Sequence, residues 1–259
     1  MKKIKITAFI TVIILNIFFL IVPSILSLSS IHILHVSSQG GEEYITIQDA
    51  IDNATNGTII YVCNGTYFEN IIINKKLTLT GENKVTTIID GNISGNVITI
   101  TSDFVSINNF TIENGTFGIF IDNASDNTIK ENNISNNSNT GIYVSPFSKN
   151  NTIYHNNFIN NTQNAYDESV NYWDFENEGN YWSDYKGTDD DYDNTGDTSY
   201  NITGGENKDH YPLMEPYTEE KYDFVVDEDS LYFMLLISMI VAIVFLLPIA
   251  YIWFKKQKK

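Results

Sequence analysis

The sequence predicts an all-β fold wound as a parallel β-helix, and three observations carry that prediction. Short β-branched runs recur at a fixed period in the low twenties. Asn, Ser and Gly separate those runs. A short amphipathic segment stands ahead of the repeats, where a solenoid needs a plug.

The repeat can be read directly. Asn96-Val97-Ile98-Thr99 recurs as Gly118-Ile119-Phe120-Ile121 and again as Gly141-Ile142-Tyr143-Val144. Ser106-Ile107-Asn108 recurs as Thr128-Ile129-Lys130 and as Thr152-Ile153-Tyr154. Ile112 recurs as Ile134 and then Phe158. The first step is 22 residues and the second is 23–24. If each unit is one coil, coils stack about 4.8 Å apart and equivalent positions form columns. Ile107, Ile129 and Ile153 then make one inward stack, and Ile112, Ile134 and Phe158 another. A leucine-rich repeat has a similar period, but its leucine framework is absent.

The remaining elements follow in chain order. Residues 1–29 combine a basic start (Lys2, Lys3, Lys5), an apolar run from Ile6 to Val22 and small residues near Ser27, which reads as a signal peptide or signal anchor. Residues 42–165 are assigned to the β-helix. Within them Thr46–Ile51 reads as the plugging helix, and Thr58–Val62, Ile71–Ile73, Leu77–Leu79 and Thr87–Ile89 read as strands. The aromatic, acidic stretch 166–217 is the cap on the far end, since an uncapped coil exposes its core. Residues 218–230 form a charged stalk. Residues 231–254 carry no charge and are long enough for a transmembrane helix across about 30 Å of hydrocarbon; 255–259 are a basic tail. Lysines at both ends face the cytoplasm by the positive-inside tendency, which puts the β-helix outside a single-pass cytoplasmic-membrane protein, or a two-pass one with the leader uncleaved.

Charge narrows the partners. All 32 acidic residues lie in the middle segment, against eight lysines there and no arginine anywhere, a formal −24. Nucleic acid and other polyanions need a basic footprint and are excluded. The single cysteine, Cys63, has no internal partner for a disulfide.

Several residues then match a known family. Ile47-Gln48-Asp49-Ala50-Ile51-Asp52, Gly65-Thr66-Tyr67-Phe68-Glu69-Asn70, Leu77–Asn83 and Thr87–Gly91 resemble the opening of NosD-like right-handed parallel β-helix proteins, with the pectin lyase-like solenoid fold. Gly179–Tyr185, Asp197–Tyr200 and Asp209–Leu213 resemble that group's ending. The resemblance covers about residues 42–217. It implies a surface or periplasmic protein of a kind common in archaea, grouped with carbohydrate-binding and sugar-hydrolase domains, on a fold that hosts many functions.

Candidate chemistry is concentrated in four places. Asp189, Asp191, Asp193 and Asp197, with the Thr195 carbonyl, fall at positions 1, 3, 5, 9 and 7 of a calcium loop. Asn194 replaces the turn glycine, and Tyr200 stands where a bidentate Glu belongs, so binding is expected in the weak class of about 10⁻⁴–10⁻³ M. Aromatic residues offer sugar platforms: Phe120 and Tyr143 align between coils, and Trp173, Tyr181 and Trp182 lie in the cap with Tyr166, Tyr172 and Tyr185. For the cap aromatics the favoured role is to pack over the last coil, because an uncapped solenoid end would expose a large apolar patch. Glu131 and His155 occupy matching positions in adjacent coils, with Asp122 one strand earlier, the groups an acid–base site would use. The arginines of pectate lyase-like and pectin methylesterase-like sites are missing. So are the paired aspartates and Gly-His-Gly of polygalacturonase-like ones.

Twelve asparagines stand in N-x-S/T sequons: Asn53, Asn56, Asn64, Asn92, Asn109, Asn114, Asn123, Asn133, Asn136, Asn150, Asn160 and Asn201. The family name is associated with copper, but His32, His35, His155 and His210 do not cluster in the sequence, so no copper is expected. The reading is a non-enzymatic, membrane-anchored surface β-helix that binds glycans or envelope proteins, with a calcium-stabilised cap. A carbohydrate-active lyase or hydrolase and a purely structural envelope element stay open as alternatives.

Overall fold

The computed structural model describes residues 32–218. The signal segment, the transmembrane segment 231–254, the tail and nearly all of the stalk lie outside them. No helix among the described residues is long and apolar enough to cross a membrane.

Three parallel sheets run the length of the solenoid. The first contains β1 (Ile33–Val36), β2 (Thr58–Val62), β5 (Leu77–Gly81), β8 (Ser106–Asn108), β11 (Thr128–Lys130) and β14 (Thr152–Tyr154). The second contains β3 (Gly65–Phe68), β6 (Thr87–Asp90), β9 (Thr111–Glu113), β12 (Asn133–Ser135), β15 (Asn157–Ile159) and β17 (Tyr181–Trp182). The third contains β4 (Ile71–Ile73), β7 (Asn96–Ile100), β10 (Phe117–Ile121), β13 (Thr140–Val144) and β16 (Gln163–Asp167). One strand from each sheet makes a coil. A two-stranded antiparallel pair, β18 (Tyr200–Asn201) and β19 (Lys208–Asp209), lies in the cap.

The predicted columns form. Ile107, Ile129 and Ile153 are in register and fully buried, as are Ile112, Ile134 and Phe158. One register differs from the sequence expectation. Ile98, not Val97, pairs with Ile119. The turn between β6 and β7 spans residues 91–95, whereas its counterpart between β9 and β10 spans 114–116. Those two extra residues shorten the step to 21 between β7 and β10 and keep the apolar face inward. The solenoid also starts earlier than residue 42. β1 pairs with β2 and buries Leu34 and Val36; a four-residue run broken by His35 carries no separate strand signal.

Helix α1 (Ile47–Asn53) plugs the first coil with Ile47, Ala50 and Ile51. Thr46 is its N-cap and accepts from the Asp49 N–H at 3.3 Å. The Glu69 carboxylate accepts the Ile47 and Gln48 N–H groups at 2.9 and 3.0 Å, where negative charge suits the helix dipole. Gln48 also guards an open edge. β4 ends its sheet, and the Gln48 side chain takes the Ile72 N–H at 2.8 Å and gives a hydrogen bond to the Ile72 carbonyl.

Three successive coils, from β8 onward, turn their corners with the same device: a left-handed residue, then an inward one. The first corner uses Phe104-Val105, Asp126-Asn127 and Asn150-Asn151. The second uses Asn109-Phe110, Glu131-Asn132 and His155-Asn156. The third uses Asn114-Gly115, Asn136-Asn137 and Asn160-Asn161. All nine leading residues have φ between 55° and 64°. Asparagine tolerates that region best after glycine, which accounts for much of the asparagine content.

The inward asparagines stack into three ladders. Asn127 gives its N–H to Asn151 Oδ1 at 3.0 Å, and Asn151 gives its own to Asn171 Oδ1 at 2.9 Å. Asn132, Asn156 and Asn180 repeat the pattern at 3.2 and 3.0 Å, and Asn137 donates to Asn161 at 3.1 Å. At the third corner Gly118 and Gly141 make room for the ladder; a Cβ on Gly118 would stand 2.6 Å from the Gly141 carbonyl and 2.7 Å from Asn137 Nδ2.

Candidate functional site

The ladders have a direction, and that direction builds the cap. From rung to rung, donation to the next asparagine Oδ1 always runs toward the C-terminal end, so each ladder finishes with N–H groups that need an acceptor. A carboxylate supplies it each time. Asn171 Nδ2 and Trp173 Nε1 both donate to Asp167, at 3.0 Å. The Asn180 N–H and Trp182 Nε1 donate to Asp209 Oδ2 at 2.7 and 2.8 Å, and the Tyr211 N–H to its Oδ1 at 3.0 Å. The third ladder runs through Asn164 to Asp184, at 2.7 Å, which also takes the Tyr200 hydroxyl. Asp167 and Asp209 are fully buried. Burial pushes the Asp209 carboxyl up to about 6 in spite of its donors.

This arrangement decides between the two roles of the cap aromatics. Trp173 and Trp182 are buried and give their indole N–H groups to those carboxylates. Phe158, Trp182 and Tyr200 stack with centroids 4.3 and 4.1 Å apart, nearly parallel, over the end of the last coil. The two tryptophans therefore close the core, in agreement with the packing role, and their alternative use as sugar platforms is corrected. Tyr181 is half-buried on β17, where it pairs with Asn157.

An exposed platform exists elsewhere. Phe120, Tyr143 and Tyr166 occupy one register line on the outer face of the third sheet, and Phe117 joins them. Centroids are 5.4 Å between Phe120 and Tyr143, 5.0 Å between Tyr143 and Tyr166, and 5.2 Å between Phe117 and Tyr143. All four rings are half-exposed. The sequence paired Phe120 with Tyr143; adding Tyr166 needed the sheet order, because Tyr166 reads as part of the cap.

The acidic loop brings Asp189, Asp191 and Asp193 together, with one carboxylate oxygen of each within 4.8 Å of the others. Asn194 takes the left-handed turn at φ 70°. Asp193 and its neighbours push the Asp191 carboxyl up, a repulsion that a cation would relieve. Thr195 sits in the loop, its N–H bound to Asp193 Oδ1 at 2.7 Å. Asp197 turns to the Asp190 N–H at 2.8 Å and is outside the trio. Tyr200 is committed to the aromatic stack and Asp184.

Glu131 and His155 do share a place, but it is a left-handed corner, at φ 60° and 57°. Glu131 pairs with Lys130 at 3.0 Å. His155 is buried, its Nε2 against the Glu178 carboxylate and its ring stacked on Tyr217 at 3.9 Å. Burial pushes its pKa down more than Glu178 pulls it up. Asp122 is exposed at the corner after β10, with strand β11 between it and Glu131. All twelve sequon asparagines are exposed or half-exposed, and none is a rung of a ladder.

A family profile described as periplasmic copper-binding protein (NosD) matches residues 29–187. The cell surface glycoprotein of Methanothermus fervidus is 41% identical over 96 residues, which are 36% of this chain and 16% of that protein. The match thus spans a small part of that relative. Among solved structures, an alginate lyase of Paenibacillus sp. str. FPU-7 is 17% identical with a TM-score of 0.43, covering 49% of this chain and 44% of the lyase. The carrot pectin methylesterase is 15% identical with a TM-score of 0.36, covering 62% and 59%.

The residues present do not fit copper. His35 packs on Tyr61 and His32 faces Thr58, both beside the first coil. His155 and His210, at the other end, each face a single carboxylate, Glu178 and Asp174. Among the described residues the three-carboxylate loop is the one place where three His, Cys, Asp or Glu donors converge, and its oxygens suit a hard cation. The fold and the corner-and-strand pattern agree with the profile, which matches more than half of the sequence: the chain belongs to the family described as periplasmic copper-binding protein (NosD).

Proposed function

We propose that this chain is a membrane-anchored surface protein that binds extracellular glycans along the outer face of its third sheet. The observation that carries the reading is the column of Phe117, Phe120, Tyr143 and Tyr166. Three half-exposed rings at the spacing of the coils, with Phe117 beside Phe120 on the same strand, form an extended stacking surface for a chain of sugar rings, which have apolar faces of their own. The partial relative named a cell surface glycoprotein and the family named periplasmic support an outside location. The apolar segments at both ends of the sequence support anchoring. Sequons placed on exposed corners support a glycosylated exterior. A purified, detergent-solubilised full-length chain is expected to retain specific glycans on an array. Phe120→Ala with Tyr143→Ala should weaken that retention about tenfold, two stacking contacts at about 0.5–1.5 kcal/mol each. Undiminished binding by the double variant would remove the platform from the reading, and a blank array would favour the structural envelope role.

Calcium belongs to the same proposal as a stabiliser of the cap, held by Asp189, Asp191 and Asp193. At a tenfold excess over Kd, binding to the folded state stabilises by about 1.4 kcal/mol. For a domain of this size that raises Tm by roughly 3–6 °C. Asp191→Asn should abolish the rise. A wild-type Tm indifferent to millimolar Ca²⁺ would sink the calcium role. We infer no catalytic role for Glu131, His155 and Asp122. The first two serve corners and neighbouring pairs, and the covered His155 ring has no open face for substrate.

A further inference from the structure

A groove of about 520 Å³ opens beside the cap, away from the aromatic column, and it has a composition of its own. Two inward anchors create it. Trp173 points into the core, so its neighbours Tyr172 and Asp174 turn outward. Asp209 points inward, so His210 turns outward and Tyr211 follows. Asp174 fastens the two segments, accepting the His210 N–H at 2.9 Å and facing its Nδ1 at 2.7 Å. The remaining wall is a tight hairpin in which Phe175 and Glu178 exchange backbone hydrogen bonds at 2.9 and 3.0 Å. Its central residues, Glu176 and Asn177, both have positive φ, the geometry of a two-residue hairpin turn.

Three aromatic side chains, Tyr172, Phe175 and Tyr211, thus line one cavity with two carboxylates, Asp174 and Glu176, and no lysine lines it. Tyr172 and Phe175 are about half exposed, at 54% and 46%. Ring faces carry negative potential, and with two carboxylates they favour a cation that is also apolar. A metal ion is a poor occupant, because these carboxylates do not converge with a third donor. The volume suits a small molecule rather than a polymer. We propose that this groove is a binding site for a small organic cation, a quaternary or alkylated ammonium. Tyr172, Phe175 and Tyr211 face the alkyl groups, and Glu176 balances the charge, with Asp174 beside it held by His210. The site stands independently of the glycan platform.

The test compares choline with 3,3-dimethylbutan-1-ol, which has its shape without its charge, and with glucose. Each is titrated into the full-length, detergent-solubilised chain, with binding read by calorimetry and by the aromatic NMR signals. Choline is expected to bind and to shift the signals of Tyr172, Phe175 and Tyr211, with the neutral isostere at least ~10-fold weaker. Glu176→Gln and Phe175→Ala, both at exposed positions, should each weaken choline about 3–5-fold, in line with exposed cation–π and charge contacts, and leave Tm unchanged. The proposal is overturned if the isostere matches choline, if glucose binds where choline does not, or if neither variant changes choline affinity.

Discussion

Asp209→Ala is expected to cost about 3–5 kcal/mol of folding stability, the range for removing one partner from a buried charged hydrogen-bond network. The mechanism is specific. Asp209 is fully buried and takes the Asn180 N–H, the Trp182 indole N–H and the Tyr211 N–H. Alanine leaves all three donors without this acceptor, and those of Asn180 and Trp182 are buried where water does not reach. It also frees Trp182, the middle ring of the Phe158–Trp182–Tyr200 stack. A loss of that size lowers Tm by roughly 6–20 °C, measurable by calorimetry. A loss under about 1 kcal/mol would show that the ladders do not depend on their terminal acceptor.

The same carboxyl sets a pH dependence. Its folded-state pKa is raised to about 6 from an ordinary 3.8. The folded state therefore holds this proton more tightly than the unfolded chain. The stability it contributes is complete below about pH 4 and is lost as pH rises through 6. A shift of that size corresponds to at most about 3 kcal/mol. Asp209→Asn cannot titrate, so the difference in Tm between pH 4 and 7 should be smaller in that variant than in the wild type. Identical pH profiles would place the titration elsewhere among the acids.

Asn156→Ala is expected to cost about 3 kcal/mol or more, whereas Asn160→Ala should cost about 1 kcal/mol and Asn160→Gly almost nothing. The residues are four apart and of one type, but they do different things. Asn156 is a fully buried rung. Its Oδ1 accepts the N–H and Nδ2 of Asn132 at 3.2 and 3.1 Å, and its Nδ2 serves the Ile129 and Tyr154 carbonyls at 2.9 and 3.0 Å. Asn160 is an exposed corner residue at φ 56°. Alanine at 156 strands buried donors and acceptors on two coils, while at 160 it only strains a left-handed turn. Denaturant unfolding of the three variants checks the ranking; equal costs for both alanines would refute the ladder as a source of stability.

The contrast also explains why the sequons are numerous. The corner pattern is a left-handed residue, an inward residue, then the outward start of a strand. When the first is Asn and the third is Ser or Thr, as in Asn109-Phe110-Thr111, Asn114-Gly115-Thr116 or Asn150-Asn151-Thr152, the corner is a sequon. Seven of the twelve sequon asparagines have positive φ: 92, 109, 114, 123, 136, 150 and 160. Turn geometry alone therefore accounts for asparagine at those positions, whether or not a glycan is attached.

What the sequence determined by itself was the coil. Period, β-branched runs and turn residues are local properties, so strands such as Thr58–Val62 and Ile71–Ile73, the Ile107 and Ile112 columns and the plugging helix could be read without coordinates. The convergence of Asp189, Asp191 and Asp193 was legible for the same reason, since its spacing is short-range. Only the tertiary structure decided which asparagines point inward, that the ladders run one way and end on Asp167, Asp209 and Asp184, and that Trp173 and Trp182 are buried on those ends. Most of those facts depend on residues far apart in the chain, 20–24 positions between rungs and 29 for Asn180 and Asp209. A composition that reads as polar turns cannot show which of its amides lost their water. That loss, set by the winding of the chain, makes the buried carboxylates indispensable to the cap.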